Sequence, residues 1–259
     1  MTASHLALAG RRLLVTGGSR GLGASIVRAL TSAGASVATC GRRTEHLEAL
    51  VASLPEASLF TRRLDIAEPG HLESFVADAA DSLGGLDGVV ACAGGARGRA
   101  LEESTAEDWE ATWQLNVGHA ARLTRSAAPV LRAAGGGSVV FISSISGWRP
   151  SPQAQYGTAK AGLIYLATVL ARELGPQGIR VNTVSPGSML IPGKRWDRMR
   201  QEEPDAYQRF LRETPGGRLV TPEEVAQVVA FLLSDMSSGI SGAHIPVDRA
   251  QNAPTPEGY

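Results

Sequence analysis

The chain has 259 residues, of which 43% are hydrophobic and 19% charged, and its 25 basic and 25 acidic side chains cancel. This balance argues against a nucleic-acid-binding or acidic-lipid-binding protein, because such proteins carry a basic excess. The length predicts a single domain over residues 1–259 with one large core. No apolar run approaches the ~20 residues that span a bilayer, and the first residues lack the basic segment of a signal peptide. We therefore expect a cytoplasmic protein.

The two cysteines, Cys40 and Cys92, lie in apolar runs that are typical of strands. They form neither a disulfide framework nor the spacing of a metal site. We expect buried, unreactive thiols in a reducing compartment, and no metal centre.

Apolar runs and helical spacings alternate along the chain. Strands are predicted at 11–17, 35–40, 58–65, 86–94, 137–144 and 178–187. Helices are predicted at 22–33, 44–54, 69–83, 105–134 and 153–175, with Thr44 and Thr105 as N-caps. This alternation predicts an α/β fold of the Rossmann type, a doubly wound parallel sheet of about seven strands with helices on both faces.

Residues 188–216 interrupt the alternation. They are rich in Arg, Trp, Met and Pro, which indicates a helical insertion. Loops at the carboxyl ends of strands bind ligands in such sheets, so we expect this insertion to be a substrate lid. The Pro-rich segment 252–259 is expected to be irregular.

The first predicted strand leads directly into TGGSRGLG, residues 16–23, and then into a helix. Gly17, Gly21 and Gly23 suit a tight turn, a close approach to a phosphate and close packing of helix on strand. The helix N-terminus offers free N–H groups and a positive dipole end to a pyrophosphate. The alternative is a tight turn without a ligand, but the position in the first βαβαβ run favours a dinucleotide-binding loop.

The end of the second strand suggests which dinucleotide is bound. It contains Arg42 and no carboxylate before Glu45, whereas an acid here would bind the ribose 2′-hydroxyl of NAD. Arg42, with Arg20 of the glycine loop, is suited to a 2′-phosphate, so the sequence favours NADP(H); the alternative is two solvated arginines. Asp65 ends the third strand, where it would bind the adenine amino group or cap the next turn.

A tyrosine and a lysine follow a serine cluster in FISSISGWRPSPQAQYGTAK, residues 141–160. Tyr156 and Lys160 share a helix face, but that spacing alone is ordinary for a solvated surface helix. Other motifs are needed to interpret it.

Several motifs together resemble the classical short-chain dehydrogenase/reductase family, most closely its 3-oxoacyl-carrier-protein reductase branch. The resemblance runs from Arg11 to about Asp248 and comprises TGGSRGLG at 16–23, LD at 64–65, CAGG at 92–95, LNV at 115–117, ISSISG at 142–147, YGTAK at 156–160, IRVNTVSPG at 179–187 and GRLVTPEEVAQVVAFLLSD at 217–235. It implies hydride transfer between a nicotinamide cofactor and a carbonyl/alcohol pair.

The resemblance also assigns catalytic roles. Tyr156 would be the general acid in reduction and the base in oxidation, with Lys160 lowering its pKa and binding the nicotinamide ribose. Ser144 would polarise the carbonyl, because Gly147 follows it at the family's spacing, and Ser143 is the second choice. Asn116 resembles the residue that holds a proton-relay water, the alternative being a packed amide.

The glycine loop and the resemblance together place the cofactor along residues at the strand ends. They are Gly17, Ser19, Arg20, Gly21, Leu22, Gly23, Arg42, Asp65, Ile66, Ala93, Gly94, Tyr156, Lys160, Pro186, Gly187 and Met189.

Three short segments depart from the family's pattern. Ala91-Cys92-Ala93-Gly94 stands where the family has Asn-Asn-Ala-Gly, and Arg249-Ala250 where it has Gly-Gly. Ile191 replaces a threonine that holds the nicotinamide carboxamide, a task that would pass to Ser188 or to the backbone of Met189.

The substrate is not fixed by these motifs. An apolar pocket with a cationic edge would suit a large or acidic β-keto compound, with candidate residues Arg97, Arg99, Trp148, Arg149, Met189, Leu190 and Trp196. We expect an NADPH-dependent ketoreductase in biosynthesis; the alternatives are an alcohol or sugar dehydrogenase working oxidatively and a non-enzymatic cofactor-binding scaffold. An enoyl reductase is disfavoured because that branch spaces its tyrosine and lysine more widely. The family suggests a homodimer or homotetramer built through the helices at 105–134 and 153–175.

Overall fold

The computed structural model describes residues 8–251, in which seven strands form one parallel sheet in the order β3-β2-β1-β4-β5-β6-β7. The strands are β1 Arg12–Thr16, β2 Ser36–Gly41, β3 Leu59–Arg63, β4 Gly88–Ala91, β5 Gly137–Ile142, β6 Ile179–Pro186 and β7 His244–Val247. The order reverses between β1 and β4, which makes the carboxyl ends of these two strands the point where ligands bind in such sheets. The predicted Rossmann-type fold is confirmed.

Residues 8–251 contain nine α-helices of eight or more residues, and helices cover both faces of the sheet. They are α1 Gly21–Ser32, α2 Thr44–Ala52, α3 His71–Leu83, α4 Ala106–Trp113, α5 His119–Ala133, α6 Ala154–Leu174, α7 Arg195–Glu202, α8 Pro204–Glu213 and α9 Pro222–Leu233. No helix in this part of the chain combines the length and the apolar composition needed to cross a membrane.

The sheet is buried on both faces, because its strands carry apolar side chains at successive positions. In β1, Leu13 and Val15 join the core under α1 and α9, whereas Leu14 joins the core under α3, α5 and α6. All three are fully buried. Successive strand residues point to opposite faces, so a continuous apolar run is what a doubly covered parallel strand requires.

Some predicted boundaries differ from the structure. Thr105 caps α4 as expected, accepting a hydrogen bond from the N–H of Asp108 at 3.2 Å in a capping box. Thr44 is the first residue of α2 rather than its N-cap, which is Arg43. The strand predicted at 86–94 ends at Ala91, because the N–H of Cys92 donates to Val90 O and to the Thr16 hydroxyl instead of a neighbouring strand.

The predicted helix at 105–134 is not continuous. A π turn over Gln114–Gly118 separates α4 from α5. Residues 188–216, predicted to be an insertion, contain α7 and α8, and the Trp196 and Phe210 rings stack at 4.1 Å. The segment predicted to be irregular, 252–259, lies outside the described residues.

Candidate active site

The glycine loop joins β1 to α1 in a conformation that only glycine fits. Gly17 has a φ of +70°, and a Cβ there would lie 2.9 Å from the Cα of Ala93. A Cβ on Gly23 would lie 2.2 Å from the carbonyl oxygen of Gly17. α1 begins at Gly21 with no acidic residue in its first turn, and no side chain of the described chain caps it. Its first N–H groups therefore remain available to an anion.

The ends of β2 and β3 border a cleft beside this loop. Ser19 lies against the end of β2, since a Cβ on Gly41 would come within 2.5 Å of its hydroxyl oxygen. The Arg42 side chain is 63% exposed and lies 3.7 Å from the Asp65 carboxylate. The cleft has a volume of about 330 Å³ and is lined by Arg42, Arg63, Leu64, Asp65, Glu68 and His71.

Asp65 has two partners within the protein. One carboxylate oxygen accepts a hydrogen bond from the N–H of Ala67 at 3.0 Å, which is the turn-capping role that the sequence left open. The other oxygen faces Arg42. The backbone of the neighbouring Ile66 is fixed to α5, because its carbonyl accepts a hydrogen bond from Arg122.

These features fit a nicotinamide dinucleotide. The crowded glycine turn with its free N–H groups suits a diphosphate, and the exposed guanidinium of Arg42 one strand away suits the adenosine half. Leu22 packs into the core beneath α1, so its contribution to a ligand would come from its backbone.

Tyr156 and Lys160 lie in the first two turns of α6. The Lys160 ammonium group donates a hydrogen bond to Ile142 O at 2.8 Å and lies 5.5 Å from the centre of the Tyr156 ring. Lys160 is only 3% exposed. Burial lowers the pKa of Lys160 to about 8, against the opposing influence of the Cys92 thiol.

The pKa of Tyr156 differs from the sequence expectation. We expected Lys160 to lower it, but burial raises the pKa of Tyr156, and a hydrogen bond with Ser144 opposes that rise only in part. The reason is that the tyrosine is half-buried against the buried Lys160, and withdrawal from water disfavours the charged form of each group, the phenolate and the ammonium. Tyr156 is therefore a protonated phenol at neutral pH.

The two serines after β5 have different partners. Ser143 is buried and donates a hydrogen bond to the carbonyl of Lys160 at 2.7 Å. Ser144 accepts a hydrogen bond from the N–H of Ser146 at 3.1 Å and bonds Tyr156. Ser144 thus lies next to Tyr156, whereas the Ser143 hydroxyl is hydrogen-bonded to the backbone of α6.

Asn116 lies in the π turn and is 1% exposed. Its amide nitrogen donates hydrogen bonds to the carbonyls of Gly95 and Thr112, both at 2.7 Å. A Cβ on Gly94 would lie 2.7 Å from the Asn116 amide oxygen and 3.0 Å from Lys160 Nζ. The Asn116 amide therefore fixes the segment after β4 against Lys160, and both amide protons are donated to backbone carbonyls.

His119 was not predicted from the sequence. It opens α5, is 1% exposed, and its Nε2 lies 2.9 Å from the Thr16 hydroxyl. That hydroxyl also accepts hydrogen bonds from the N–H groups of Cys92 and Ala93, at 3.1 and 3.4 Å. Burial, with the nearby charges of Lys160 and Arg122, lowers the pKa of His119 to about 3, so the imidazole is neutral. A single histidine in a helix carries no sequence signal for this position.

Both cysteines are unpaired, as predicted. Burial raises the pKa of the Cys40 thiol to about 11 and that of Cys92 to about 12. They remain thiols at neutral pH, which is the unreactive form.

The segment after β6 lies close to the end of β7. Pro186 ends β6, and the N–H of Gly187 donates to Val247 O at 3.0 Å. The Ser188 N–H and hydroxyl both bond the Gln251 side chain, at 2.8 and 2.9 Å. Met189 forms an isolated β-bridge with Val220. The Ser188 N–H donates to Gln251 and the Ser188 hydroxyl accepts from it, so Gln251 fixes the position of Ser188.

Arg249 and Ala250 occupy the positions where the family has two glycines. Both adopt left-handed backbone conformations, with φ of 54° and 59°, which favour glycine. The guanidinium of Arg249 donates to Glu224 at 3.1 Å. The turn that glycine would form is therefore kept with larger residues, at some cost in backbone strain.

The residues expected to form a substrate pocket make separate contacts. The Trp148 ring lies edge-on to His244 at 5.7 Å, with the Arg149 guanidinium 4.9 Å from its centre. Trp196 stacks on Phe210, which joins α7 to α8. The backbone carbonyls of Arg97 and Arg99 are held by Gln155, the residue before Tyr156, so the loop at 95–103 is tied to α6.

Comparison with known proteins agrees with this geometry. A family model described as enoyl-(acyl carrier protein) reductase matches residues 17–249. The isoepoxydon dehydrogenase of Penicillium expansum is 32% identical over 248 residues, 93% of this chain and 94% of that protein. The D-threitol dehydrogenase of Mycolicibacterium smegmatis is 32% identical over 246 residues, 93% of this chain and 92% of that protein. The crystal structure of levodione reductase superposes with a TM-score of 0.87 at 29% identity, covering 95% of this chain and 99% of that one. The chain belongs to the short-chain dehydrogenase/reductase family, as the order of its motifs predicted.

Proposed function

We propose that the chain is an NADPH-dependent ketoreductase that reduces a small-molecule carbonyl, with a β-keto group as the first candidate, to an alcohol. The observation that carries the choice of cofactor is the end of β2. Arg42 is 63% exposed there, and the chain has no carboxylate before Glu45. A guanidinium attracts a ribose 2′-phosphate, whereas an acid at this place would repel it.

A bound nicotinamide dinucleotide would supply or accept the hydride. Side chains of the protein would transfer the proton. Tyr156 is protonated at neutral pH, which suits a general acid that donates its phenolic proton to the substrate oxygen. Ser144, hydrogen-bonded to Tyr156, is placed to donate to the same oxygen as negative charge develops there. The Lys160 ammonium group, 5.5 Å from the ring centre, stabilises the phenolate that remains.

The protonation state of Tyr156 determines which proton-transfer role its side chain can take. Reduction needs the phenol, and oxidation needs the phenolate as the base. Because burial raises the pKa of Tyr156, the phenol is the form present near neutrality, which fits the general-acid role in reduction.

A dehydrogenase working oxidatively is the second candidate. The names of two relatives, isoepoxydon dehydrogenase and D-threitol dehydrogenase, favour it. The family model's description names an enoyl reductase, but Tyr156 and Lys160 lie one turn apart in α6, which supports a carbonyl substrate. A non-enzymatic scaffold would be supported only if cofactor bound while every carbonyl tested failed to react.

We propose a cytoplasmic homodimer or homotetramer that assembles through α4 and α6. The support is a row of exposed large apolar side chains on these helices: Trp113 at 43%, Tyr165 at 73% and Val169 at 42% exposure. Such side chains are usually covered when they cluster.

The cofactor assignment is tested by titrating wild type and Arg42→Ala with NADPH and NADH, following fluorescence. We expect wild type to prefer NADPH and the variant to lose about 10-fold or more of its NADPH affinity, because a charge-assisted hydrogen bond contributes about 1.5–3 kcal/mol. NADH affinity should change little. Arg43→Ala, at the neighbouring N-cap of α2, is the matched control. Equal binding of the two cofactors by wild type would contradict the assignment and favour the dehydrogenase.

A further inference from the structure

The base of the lid touches the glycine loop. A Cβ on Gly21, the first residue of α1, would meet the side chain of Ile191 at 3.5 Å. The N–H of Lys194 donates to the carbonyl of Ile191 at 3.0 Å. This turn holds Lys194 close to the contact between Ile191 and Gly21. Lys194 is also the N-cap of α7. The start of α7 therefore lies beside the N-terminus of α1, where the free N–H groups are.

Three cations converge at this contact. They are Arg20 of the glycine loop and Lys194 and Arg198 of the lid, all exposed. Arg20, followed by burial and Arg198, lowers the pKa of Lys194, which shows that these charges act on one another. The repulsion is unfavourable as long as no anion lies between them.

Within residues 8–251, the structure gives none of these three side chains a hydrogen bond or ion pair to an acid. The carboxylate nearest along the lid, Asp197, is already engaged, since it accepts from the N–H of Gly193 at 2.8 Å and from Arg200 at 2.9 Å. The cations at the base of the lid thus lack the acidic partner that Arg200 has in Asp197.

We propose that Lys194 and Arg198 bind the phosphates of the dinucleotide together with Arg20, so that the lid closes on the cofactor. The inference rests on the proposed nicotinamide dinucleotide. Phosphate is the anion of choice because the cations surround the N-terminus of α1, whose N–H groups and dipole favour the same ligand. The lid would then be ordered by cofactor binding before a carbonyl substrate enters.

The first experiment titrates wild type, Lys194→Ala, Arg198→Ala and the double variant with NADPH and NADH, at about 0.05 M and about 0.5 M salt. We expect the double variant to lose about 10-fold or more in affinity at low salt, with a smaller loss at high salt, because exposed charges are screened beyond about 10 Å at 0.1 M. A loss for both cofactors assigns the cations to the diphosphate, and a loss for NADPH alone assigns them to the 2′-phosphate.

Arg195→Ala is the matched control. Arg195 is a cation on the same helix, but its guanidinium lies over the Trp196 ring at 5.1 Å from the ring centre. Its replacement should leave both affinities within about 2-fold of wild type, which is below ~0.5 kcal/mol.

A second measurement follows limited proteolysis of residues 188–216 with and without NADPH. We expect the cofactor to protect the lid of wild type and of Arg195→Ala, but not that of the double variant. Wild-type affinity and protection in the double variant would overturn this inference, while leaving an Arg42-dependent preference for NADPH intact. Failure of wild type to bind either dinucleotide would overturn the proposed function and this inference together.

Discussion

Ser143 and Ser144 show how backbone position separates two identical side chains. β5 ends at Ile142, and successive residues of extended chain point in opposite directions. Ser143 therefore turns toward the Lys160 carbonyl, and Ser144 toward Tyr156. The motif spacing preferred Ser144 but left Ser143 open, because spacing alone does not show which hydroxyl is already bonded within the protein.

Replacement of the two serines should therefore have different effects. We expect Ser144→Ala to lower kcat for carbonyl reduction about 100-fold or more, with nearly unchanged cofactor affinity, because a donor to the developing oxyanion is lost. Ser143→Ala should instead lower the free energy of unfolding by about 1–3 kcal/mol, since it leaves the buried Lys160 carbonyl without that partner. Steady-state kinetics and thermal melts separate the two. A larger loss of kcat in Ser143→Ala than in Ser144→Ala would reverse the assignment.

At the scale of elements, the π turn is the main feature of α4 and α5 that the sequence could not reveal. Apolar periodicity predicted one helix over 105–134, because one extra residue in a turn barely shifts the pattern. The turn is a common device at functional sites. Three polar residues around it, Thr112, Asn116 and His119, are at most 1% exposed. Thr112 and Asn116 bond the segment after β4 directly, at Arg97 and Gly95, and His119 bonds it through Thr16. Gly94 of this segment lies close to Lys160 Nζ.

His119 should make the stability of the protein sensitive to acid. Its pKa is about 3 in the folded chain and about 6.5 in the unfolded chain. Between these two pH values the imidazole is protonated in the unfolded state but not in the folded state, so acid stabilises the unfolded state. The free energy of unfolding should therefore fall as the pH falls from about 6.5 toward about 3. His119→Gln, which keeps an amide within reach of Thr16 but does not titrate, should show a flatter profile over pH 6.5–5.

Thermal melts of wild type and His119→Gln across this range test the prediction. At pH 7 the variant should be less stable by about 1–3 kcal/mol, because a buried hydrogen bond is altered. Glu224, whose pKa the Arg218 side chain and the Thr221 N–H lower to about 2, loses its contribution only below about pH 4.5, and it does so in both proteins. Parallel pH profiles above pH 5 would exclude His119 as the acid-sensitive group.

At the scale of the whole molecule, the sheet and its ligand-binding edge were predictable, whereas contacts between distant elements were not. Continuous apolar runs marked six strands, and the glycine loop marked the switch between β1 and β4. β7 was not predicted individually, since His244–Val247 is a short segment with a proline and little apolar burial. The raised pKa of Tyr156 and the approach of the lid to Gly21 both depend on packing that no local pattern encodes.

The assembly of the chain is the property of the whole molecule that the structure makes testable. The Trp113 ring packs on α6, since a Cβ on Gly162 would lie 3.2 Å from it, and Tyr165 and Val169 continue along the same helix face. We expect wild type to sediment as a dimer or tetramer, and Tyr165→Glu with Val169→Glu to sediment as a smaller species, because charges placed in an apolar interface lose their hydration.

Met236→Glu is the matched control for sedimentation velocity. Met236 is 63% exposed but lies after α9, away from α4 and α6 in the chain. If this variant kept the wild-type mass while the α6 variant dissociated, the α4 and α6 face would be the interface. A wild type that sediments as a monomer at micromolar concentration would contradict the expectation, and the exposed row on α6 would then need another explanation. The two variants should differ because Met236 is exposed and outside the proposed interface, so its replacement by a solvated carboxylate removes no contact between subunits.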